Sequence, residues 1–319
     1  MAAANDKSRG TVAVTGANGF VGRAVTTALA REGWNVRALV RSVVAVPNAG
    51  QVRSVGNLME ADLERALEGC DAVVNCAARV HVTGRENPAI ARSAYDRMNY
   101  RFAVELAEAA RLAGASRYVQ LSSVAAVTAT TAPGEVCRDD TTPAPTTLYG
   151  QSKLAADLAL RTLDGDEFST VSLRPPAVYG PEVGAFFARL IKAARMGIPL
   201  PIGSIRNARS FIFSDNLADA VAAAVGTHET GSFIVTDSEP VSTAWLYRAL
   251  LSLAGRPDRV WSWPAAPVRV LARTALQGRA TSLLGNAAYD GSRFTAAFGW
   301  KPETGMADGL RATMERTAS

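Results

Sequence analysis

The sequence predicts an α/β fold in which a doubly wound parallel sheet is followed by a smaller C-terminal α+β lobe. Strand-like and helix-like segments alternate along the first 180 residues, which is the pattern of a parallel sheet with helices on both faces. Beyond that point the elements become short and mixed. A chain of 319 residues, 48% hydrophobic and 20% charged, is typical of a globular protein with one large core. We therefore expect a disordered N-terminus at 1–10, the doubly wound core at 11–180 and the smaller lobe at 181–319.

Hydrophobic periodicity predicts the elements in order. The predicted strands are 11–15, 35–40, 51–55, 71–75, 117–122 and 168–174. The predicted helices are 19–32, 60–68, 90–113, 148–164 and 184–196. Residues 128–147 are rich in Thr, Pro and Ala, so we interpret them as a loop.

A glycine-rich turn joins the first predicted strand to the first predicted helix. Its glycines are spaced G-x-x-G-x-x-G, and such a turn lets a phosphate approach the backbone while the helix N-terminus offers free N–H groups. In this strand-turn-helix context the turn predicts a Rossmann-type dinucleotide site. The residues that we place around the pyrophosphate are Gly16, Asn18, Gly19, Phe20, Val21 and Gly22.

A phenol and an ammonium share one face of the predicted helix 148–164. Tyr149 and Lys153 are four residues apart, which makes them neighbours on a helix. An ammonium ~4 Å away in an effective dielectric of ~20 contributes about 4 kcal/mol, which is roughly what moves a tyrosine pKa of ~10 to neutrality. Ser123 follows the predicted strand 117–122, where a hydroxyl faces the ligand crevice of an open sheet. We predict that Ser123, Tyr149 and Lys153 are catalytic.

Taken together, these motifs resemble the extended short-chain dehydrogenase/reductase family, which contains nucleotide-sugar epimerases, dehydratases and ketoreductases. Further matches are Asn-Cys-Ala-Ala at 75–78, Asn99 and Arg-Pro-Pro-Ala-Val-Tyr-Gly-Pro at 174–181, so the resemblance covers nearly the whole chain. It implies a homodimer built through the helices at 90–113 and 148–164. It also implies further cofactor contacts, from Asn57, Leu58, Ala77, Ala78, Asn99, Tyr149, Lys153, Pro176 and Val178. Asn57 departs from relatives that carry an acidic residue in this region.

The end of the second predicted strand bears on the choice of cofactor. NAD-binding units usually place a carboxylate there to hold the ribose 2′-hydroxyl. This strand ends in Arg41 and Ser42, with Arg37 just before, and a guanidinium with a hydroxyl suits the 2′-phosphate of NADP. NADP(H) is therefore the favoured cofactor, and NAD(H) is the alternative.

The segment 200–212 resembles the part of sugar-nucleotide enzymes that lines the diphosphate pocket, with Arg209 gripping phosphate. The chain is most similar to the branch that reduces UDP-4-keto-6-deoxy-N-acetylhexosamines, as in quinovosamine synthesis for surface polysaccharide. The resemblance makes the C-terminal lobe substrate-binding and the partner a UDP-sugar. The predicted substrate contacts are His81, Ser123, Tyr149, Phe186, Leu200 and Arg209, although Ala-Phe-Phe at 185–187 departs from that branch.

Other functions stay open alongside the 4-ketoreductase. A UDP-hexose 4-epimerase would hold its NAD tightly, and the missing carboxylate after Val40 disfavours it. Arg209 disfavours a reductase of a smaller or steroid-like ketone. Val-Ala-Ala at 124–126 replaces the Asp-Glu pair of a dehydratase. A regulator without catalysis would usually lose Tyr149 or Lys153.

Composition excludes several other classes. The net charge of +5 comes from scattered basic residues, so no nucleic-acid partner is predicted. No apolar run approaches the ~20 residues of a membrane span, and the first residues lack the core of a secretion signal, which predicts a cytoplasmic protein without membrane insertion. With three cysteines and two histidines at unrelated spacings, no metal site is predicted.

Overall fold

A computed structural model describes residues 9–42, 44–80, 86–237, 239–264 and 284–316. Its centre is a sheet of seven parallel strands, six of which were predicted. The strands of the described residues are β1 Thr11–Thr15, β2 Asn35–Val40, β3 Gln51–Ser54, β4 Ala72–Asn75, β5 Arg117–Leu121, β6 Ser169–Arg174, β7 Ala177–Tyr179, β8 Phe211–Phe213 and β9 Gly231–Ile234. The large sheet has the order β3-β2-β1-β4-β5-β6-β9, and β7 pairs with β8 in a separate sheet. The predicted Rossmann-type α/β fold is confirmed.

Helices cover both faces of the large sheet. The helices of the described residues, including those of the C-terminal lobe, are α1 Phe20–Arg31, α2 Leu63–Leu67, α3 Pro88–Tyr95, α4 Phe102–Leu112, α5 Leu148–Arg161, α6 Ala185–Arg195, α7 Ser214–Val225, α8 Thr243–Leu253, α9 Ser292–Phe298 and α10 Met306–Arg316. In β1, Val12 and Val14 pack in one cluster with α1 and α7, whereas Ala13 packs in another with α4. Successive side chains of a strand point to opposite faces, so a strand between two helical layers is apolar throughout.

The crevice lies where the strand order reverses. β1 pairs with β2 on one side and with β4 on the other, so the connections from β1 and from β3 leave in opposite directions. In open α/β sheets, ligands bind at such a switch point, outside the carboxyl ends of the strands. The glycine turn follows β1 at this edge, and Ser123 follows β5 at the same edge.

Two predicted helices differ in their bounds. The segment predicted as one helix at 90–113 is α3, a π-helical segment Asp96–Arg101 and then α4. It begins earlier than predicted because Asn87 accepts a hydrogen bond from the Ala89 N–H and Pro88 occupies the first turn. The helix predicted at 60–68 begins only at Leu63 because Asp62 caps it.

The second half of the chain does not stay apart from the large sheet. Leu217 and Val221 of α7 pack against Val25 and Leu29 of α1, and β9 pairs with β6. Full burial of a leucine such as Leu29 contributes about 2 kcal/mol. A separate cluster around Phe187, Leu190, Tyr247 and Leu310 forms the core of the C-terminal lobe. The lobe therefore begins after β7, but α7, β9 and α9 pack on the large sheet.

Most of the N-terminal segment, 1–8, lies outside the described residues. Arg9 donates its N–H to the Gly33 carbonyl, and the Gly10 carbonyl accepts from Asn35 at the start of β2. Among the helices that the structure describes, none combines the length and apolarity that crossing a bilayer requires.

Candidate active site

The glycine turn is packed against the end of β4. Gly16 has φ +65°, a conformation that L side chains rarely adopt, and a Cβ on it would lie 2.8 Å from the backbone of Cys76 and Ala77. A Cβ on Gly22 would overlap the Gly16 carbonyl oxygen, so α1 reaches the turn only because Gly22 has no side chain. Both positions therefore require glycine for close packing.

The N-terminus of α1 has no side-chain cap. Gly19 is its N-cap residue, and no acidic residue lies in its first turn. Asp62, Asn87, Thr147 and Ser242 cap α2, α3, α5 and α8. The uncapped N–H groups and the positive end of the helix dipole fit an anionic diphosphate, so this end of the crevice suits the predicted cofactor.

Polar side chains join the ends of three neighbouring strands beneath the crevice. The Thr15 hydroxyl donates to Asn75 Oδ1 at 2.6 Å, and Asn75 Nδ2 donates to Gln120 Oε1 at 3.0 Å. Asn75 Oδ1 also accepts from the Ala77 N–H at 3.1 Å. Asn75 thereby shapes the loop of Ala77 and Ala78 beside the glycine turn, where cofactor contacts were predicted.

Tyr149 and Ser123 meet across the crevice. The Ser123 side chain hydrogen-bonds the phenol, and its Oγ accepts from the Ala125 N–H at 3.2 Å in a short 3₁₀ turn, Val124–Ala126. Burial is the main cause that raises the pKa of Tyr149 to about 12, while the Ser123 hydrogen bond opposes it. Tyr149 in the protein alone is therefore a neutral phenol at neutral pH, which is the form that donates a proton.

Lys153 is the buried cation of the site. It is 1% exposed, and its Nζ donates to the Leu121 carbonyl at 2.6 Å, at the end of β5. Burial lowers the pKa of Lys153 to about 8, and the nearby Asp157 and Cys76 oppose this. The ammonium is thus bonded to the strand rather than directly to the phenol, and its predicted effect on the Tyr149 pKa stays a prediction.

Asn99 connects the loop after β4 to α5. Its Oδ1 accepts from the Arg79 N–H at 2.7 Å, while its Nδ2 donates to the Arg79 carbonyl at 3.0 Å and to Ser152 Oγ at 3.1 Å. Both hydrogens of the amide are therefore donated to protein acceptors. The structure places Asn99 as a brace of the crevice wall, and its direct cofactor contact stays a prediction.

Tyr95 is a residue that the sequence did not single out. Its ring lies edge-on to Tyr149 with centroids 6.3 Å apart, and its hydroxyl donates to the Val80 carbonyl at 3.3 Å. Arg79 lies over the same ring at 5.4 Å. Tyr95 thus forms a wall beside the phenol, and one tyrosine on a helix carries no motif that could have shown this.

Two arginines near the end of β2 lie in different surroundings. Arg37 is buried, and its guanidinium donates to Gln51, to the carbonyls of Ala66 and Glu68, and to the Cys70 sulfur. Its side chain ties β2 to α2, so it does not join Arg41 and Ser42 beyond the end of the strand. Arg41 and Ser42 are exposed just beyond β2, and Arg41 forms no ion pair with the described residues.

Four further predicted cofactor residues lie in two places, between β3 and α2 and after β6. Asn57 donates to Glu60 at 2.6 Å and accepts from the Met59 N–H, and Leu58 is buried against the α2 and α4 layer. Pro176 is buried and Val178 is half-buried after β6. The side chain of Asn57 is thus already bonded within its turn, and its contact with adenine stays a prediction.

Three of the predicted substrate residues, Phe186, Leu200 and Arg209, lie in the C-terminal lobe. Arg209 is 9% exposed, donates Nη1 to the Gly285 carbonyl at 2.9 Å, and has no acceptor for Nε among the described residues. Leu200 pairs with Val260 and packs on the core of the lobe. Phe186 is in the first turn of α6, and His81 lies outside the described residues.

Comparisons with known proteins agree with this geometry. Residues 12–234 match the NAD dependent epimerase/dehydratase family. A UDP-glucose 4-epimerase from Vibrio cholerae is 30% identical over 328 aligned residues, 99% of this chain and 98% of that protein. A ceramide reductase from Caulobacter vibrioides is 30% identical over 263 residues, 81% of this chain and 74% of that protein. The structure of MoeE5 in complex with UDP-glucose and NAD is similar with a TM-score of 0.75 and 26% identity, over 97% of this chain and 99% of that one.

Proposed function

Because this chain belongs to the NAD dependent epimerase/dehydratase family, we propose that it is an NAD(P)H-dependent reductase of a UDP-linked 4-keto-6-deoxy-N-acetylhexosamine. The observation that carries the proposal is the hydrogen bond between Ser123 and a neutral Tyr149, beside the buried Lys153. The arrangement lies at the same edge of the sheet as the uncapped glycine turn. A proton donor at a cofactor crevice is what ketone reduction requires.

The protein's own groups would act as follows. Tyr149 donates its proton to the ketone oxygen as charge develops there, and the Ser123 hydroxyl orients that oxygen. Lys153 holds the cofactor ribose and favours the phenolate that remains. The nicotinamide, when bound, supplies the hydride. Gly16, Gly19 and the first turn of α1 hold the diphosphate of the cofactor.

Support for a nucleotide-sugar substrate comes from two sides. The epimerase of Vibrio cholerae is named for UDP-glucose, and MoeE5 was solved with UDP-glucose and NAD. The buried Arg209 has one guanidinium N–H, at Nε, with no acceptor among the described residues, which a diphosphate oxygen would satisfy. These observations favour a UDP-sugar over a lipid ketone such as the ceramide reductase name indicates.

The proposal is tested by mixing the protein with enzymatically made UDP-4-keto-6-deoxy-N-acetylglucosamine and following the absorbance of NADPH or NADH. Oxidation of the cofactor with formation of the 4-hydroxy sugar would support the reductase. The alternative is a UDP-hexose 4-epimerase, favoured by the relative from Vibrio cholerae. Interconversion of UDP-glucose and UDP-galactose without added cofactor, with NAD released only on denaturation, would overturn the reductase in favour of the epimerase.

Arg41 is the residue that we propose selects NADP over NAD. Arg41→Ala is expected to weaken NADPH binding ~10- to 100-fold, because a charge-assisted hydrogen bond is worth about 1.5–3 kcal/mol. NADH, which lacks the 2′-phosphate, should bind almost as before. The measurement is titration of each cofactor by fluorescence, with Arg101→Ala, an exposed arginine paired with Asp96, as the control. Equal loss for both cofactors would contradict the assignment.

We also propose a homodimer that uses α4 and α5. These helices pack against each other, and each carries an outward leucine, Leu112 at 63% exposure and Leu158 at 59%. Leu158→Glu is expected to shift the protein from dimer to monomer in sedimentation velocity, because an unpaired carboxylate is costly inside an apolar interface. Leu253→Glu on α8 should leave the protein a dimer in the same measurement. A monomeric wild-type protein would refute the dimer.

A further inference from the structure

Consecutive residues at the end of β5 form hydrogen bonds with side chains of α5. Lys153 donates to the carbonyl of Leu121, and Tyr149 bonds the side chain of Ser123, as described above. Both contacts involve groups assigned to the reaction. The residue between them makes a third contact with the same helix.

That third contact is made by a carboxylate with no part in the proposed chemistry. Asp157 Oδ2 accepts from the Ser122 hydroxyl at 3.0 Å and from Arg174 Nε at 2.8 Å. The Asp157 side chain is 1% exposed, and its Oδ1 has no hydrogen-bond partner among the described residues. Desolvation of a carboxylate this deeply buried is costly, and a single buried ion pair is weak evidence that the residue stabilises the fold.

Asp157 is one turn beyond Lys153 on the same helix. The groups that face the ammonium are Asp157 on α5 and the Cys76 thiol at the end of β4. The thiol is neutral, since burial raises the pKa of Cys76 to about 12, and the Tyr149 phenol is neutral as well. Within the described ranges, Asp157 is thus the anion that faces Lys153, and Arg174 is the cation that holds Asp157 in place.

We propose that Asp157, held by Ser122 and Arg174, is a positioning residue that fixes α5 to the end of β5 and supplies the counter-charge of the Lys153 ammonium. Its catalytic consequence rests on the proposed function. An opposite charge within ~4–6 Å shifts a titration midpoint by ~1–3 pH units. Without Asp157, the ammonium would lose its proton at a pH where the wild-type protein keeps it.

The titration of Lys153 can be measured directly, because the sequence contains only four lysines, Lys7, Lys153, Lys192 and Lys301. Protein with ¹³C- and ¹⁵N-labelled lysine is titrated by NMR without cofactor or substrate, and the Lys153 signal is assigned with Lys153→Arg. In the wild type we expect its midpoint at about 8. Asp157→Asn is expected to lower that midpoint by at least ~1 unit, whereas Asp219→Asn, which breaks the ion pair with Arg31 on the other face, should not move it.

A second variant covers the case in which Asp157→Asn fails to fold because Arg174 is left buried and unpaired. Asp157→Asn with Arg174→Gln removes both charges, and the Lys153 midpoint should still fall. Arg174→Lys keeps the pair and should preserve the midpoint. An unmoved Lys153 midpoint in whichever Asp157 variant folds would overturn the proposal.

The catalytic consequence has its own readout. In ketone reduction the alkaline limb of the pH-rate profile should move to lower pH, because loss of Asp157 favours loss of the proton from both Lys153 and Tyr149. An unchanged limb with a moved midpoint would overturn the positioning role. If the wild type reduces no UDP-keto sugar, the proposed function fails, and the NMR midpoint still decides whether Asp157 is the counter-charge.

Discussion

Replacing Tyr149 with Phe is expected to lower the rate of ketone reduction ~10²- to 10⁴-fold, the usual contribution of a positioned proton donor. The phenol is the proton donor of the proposed reaction, and the substitution removes one oxygen without changing the shape of the ring. Binding of NADPH should stay nearly the same, because the glycine turn and Lys153 are untouched. The measurement is single-turnover oxidation of NADPH together with a binding titration.

Tyr95 provides the matched control for this change. Tyr95→Phe also removes one phenol oxygen, from a ring edge-on to Tyr149, but that hydroxyl donates to the Val80 carbonyl. We expect a loss of less than about 1.5 kcal/mol in stability, the scale of one neutral hydrogen bond, and no collapse of the rate. Similar rates for Tyr149→Phe and the wild type would refute the role of the phenol.

Gly150→Ala is the second change with a large expected effect. Alanine in place of glycine in a helix usually stabilises by up to ~1 kcal/mol. Here the added Cβ would overlap the Ala125 carbonyl oxygen and touch Pro145, so α5 must move away from the turn that carries Ser123. Overpacking of this kind costs about 1–3 kcal/mol, which outweighs the helix preference. A displacement of ~1 Å between catalytic groups can also lower the rate ~10²-fold.

Gly165, in the loop after α5, is a control for adding a methyl group where no neighbour lies close. A Cβ at Gly165 meets no atom within 4 Å, and neither glycine has the left-handed backbone that would strain an alanine. Gly165→Ala should therefore leave the midpoint of urea unfolding and the rate of reduction almost unchanged. If Gly150→Ala also left the unfolding midpoint and the rate almost unchanged, the close approach of α5 to residue 125 would matter neither for stability nor for catalysis.

The sequence predicts the structure best at positions that only one or a few residue types can occupy. Buried strands such as β1 must be apolar on both faces, and Gly16 and Gly22 occupy positions that no side chain could share, so the sheet and the turn could be predicted from local pattern. The common face of Tyr149 and Lys153 follows from helical spacing alone. These features depend on neighbours in the chain.

Contacts between distant segments could not be predicted in the same way. Nothing in the spacing shows that Lys153 bonds the Leu121 carbonyl, or that Asn99 braces the Arg79 backbone. The two arginines of the second strand look alike in the sequence, yet one is buried toward α2 and the other lies exposed at the crevice edge. Arg37 lies within β2 and Arg41 lies just beyond its end, so the point at which the strand leaves the packed layers distinguishes them.

The return of α7 and β9 to the large sheet constrains how this protein can be made. A ribosome that has released the chain up to Tyr179 has already supplied the glycine turn and the whole catalytic helix. It has not yet supplied α7, which covers the apolar side of α1, or β9, which borders β6. Until residue 234 emerges, the first half of the chain would therefore expose the apolar side of α1 and the unpaired edge of β6. A chaperone that binds exposed apolar segments would have its largest target during this interval.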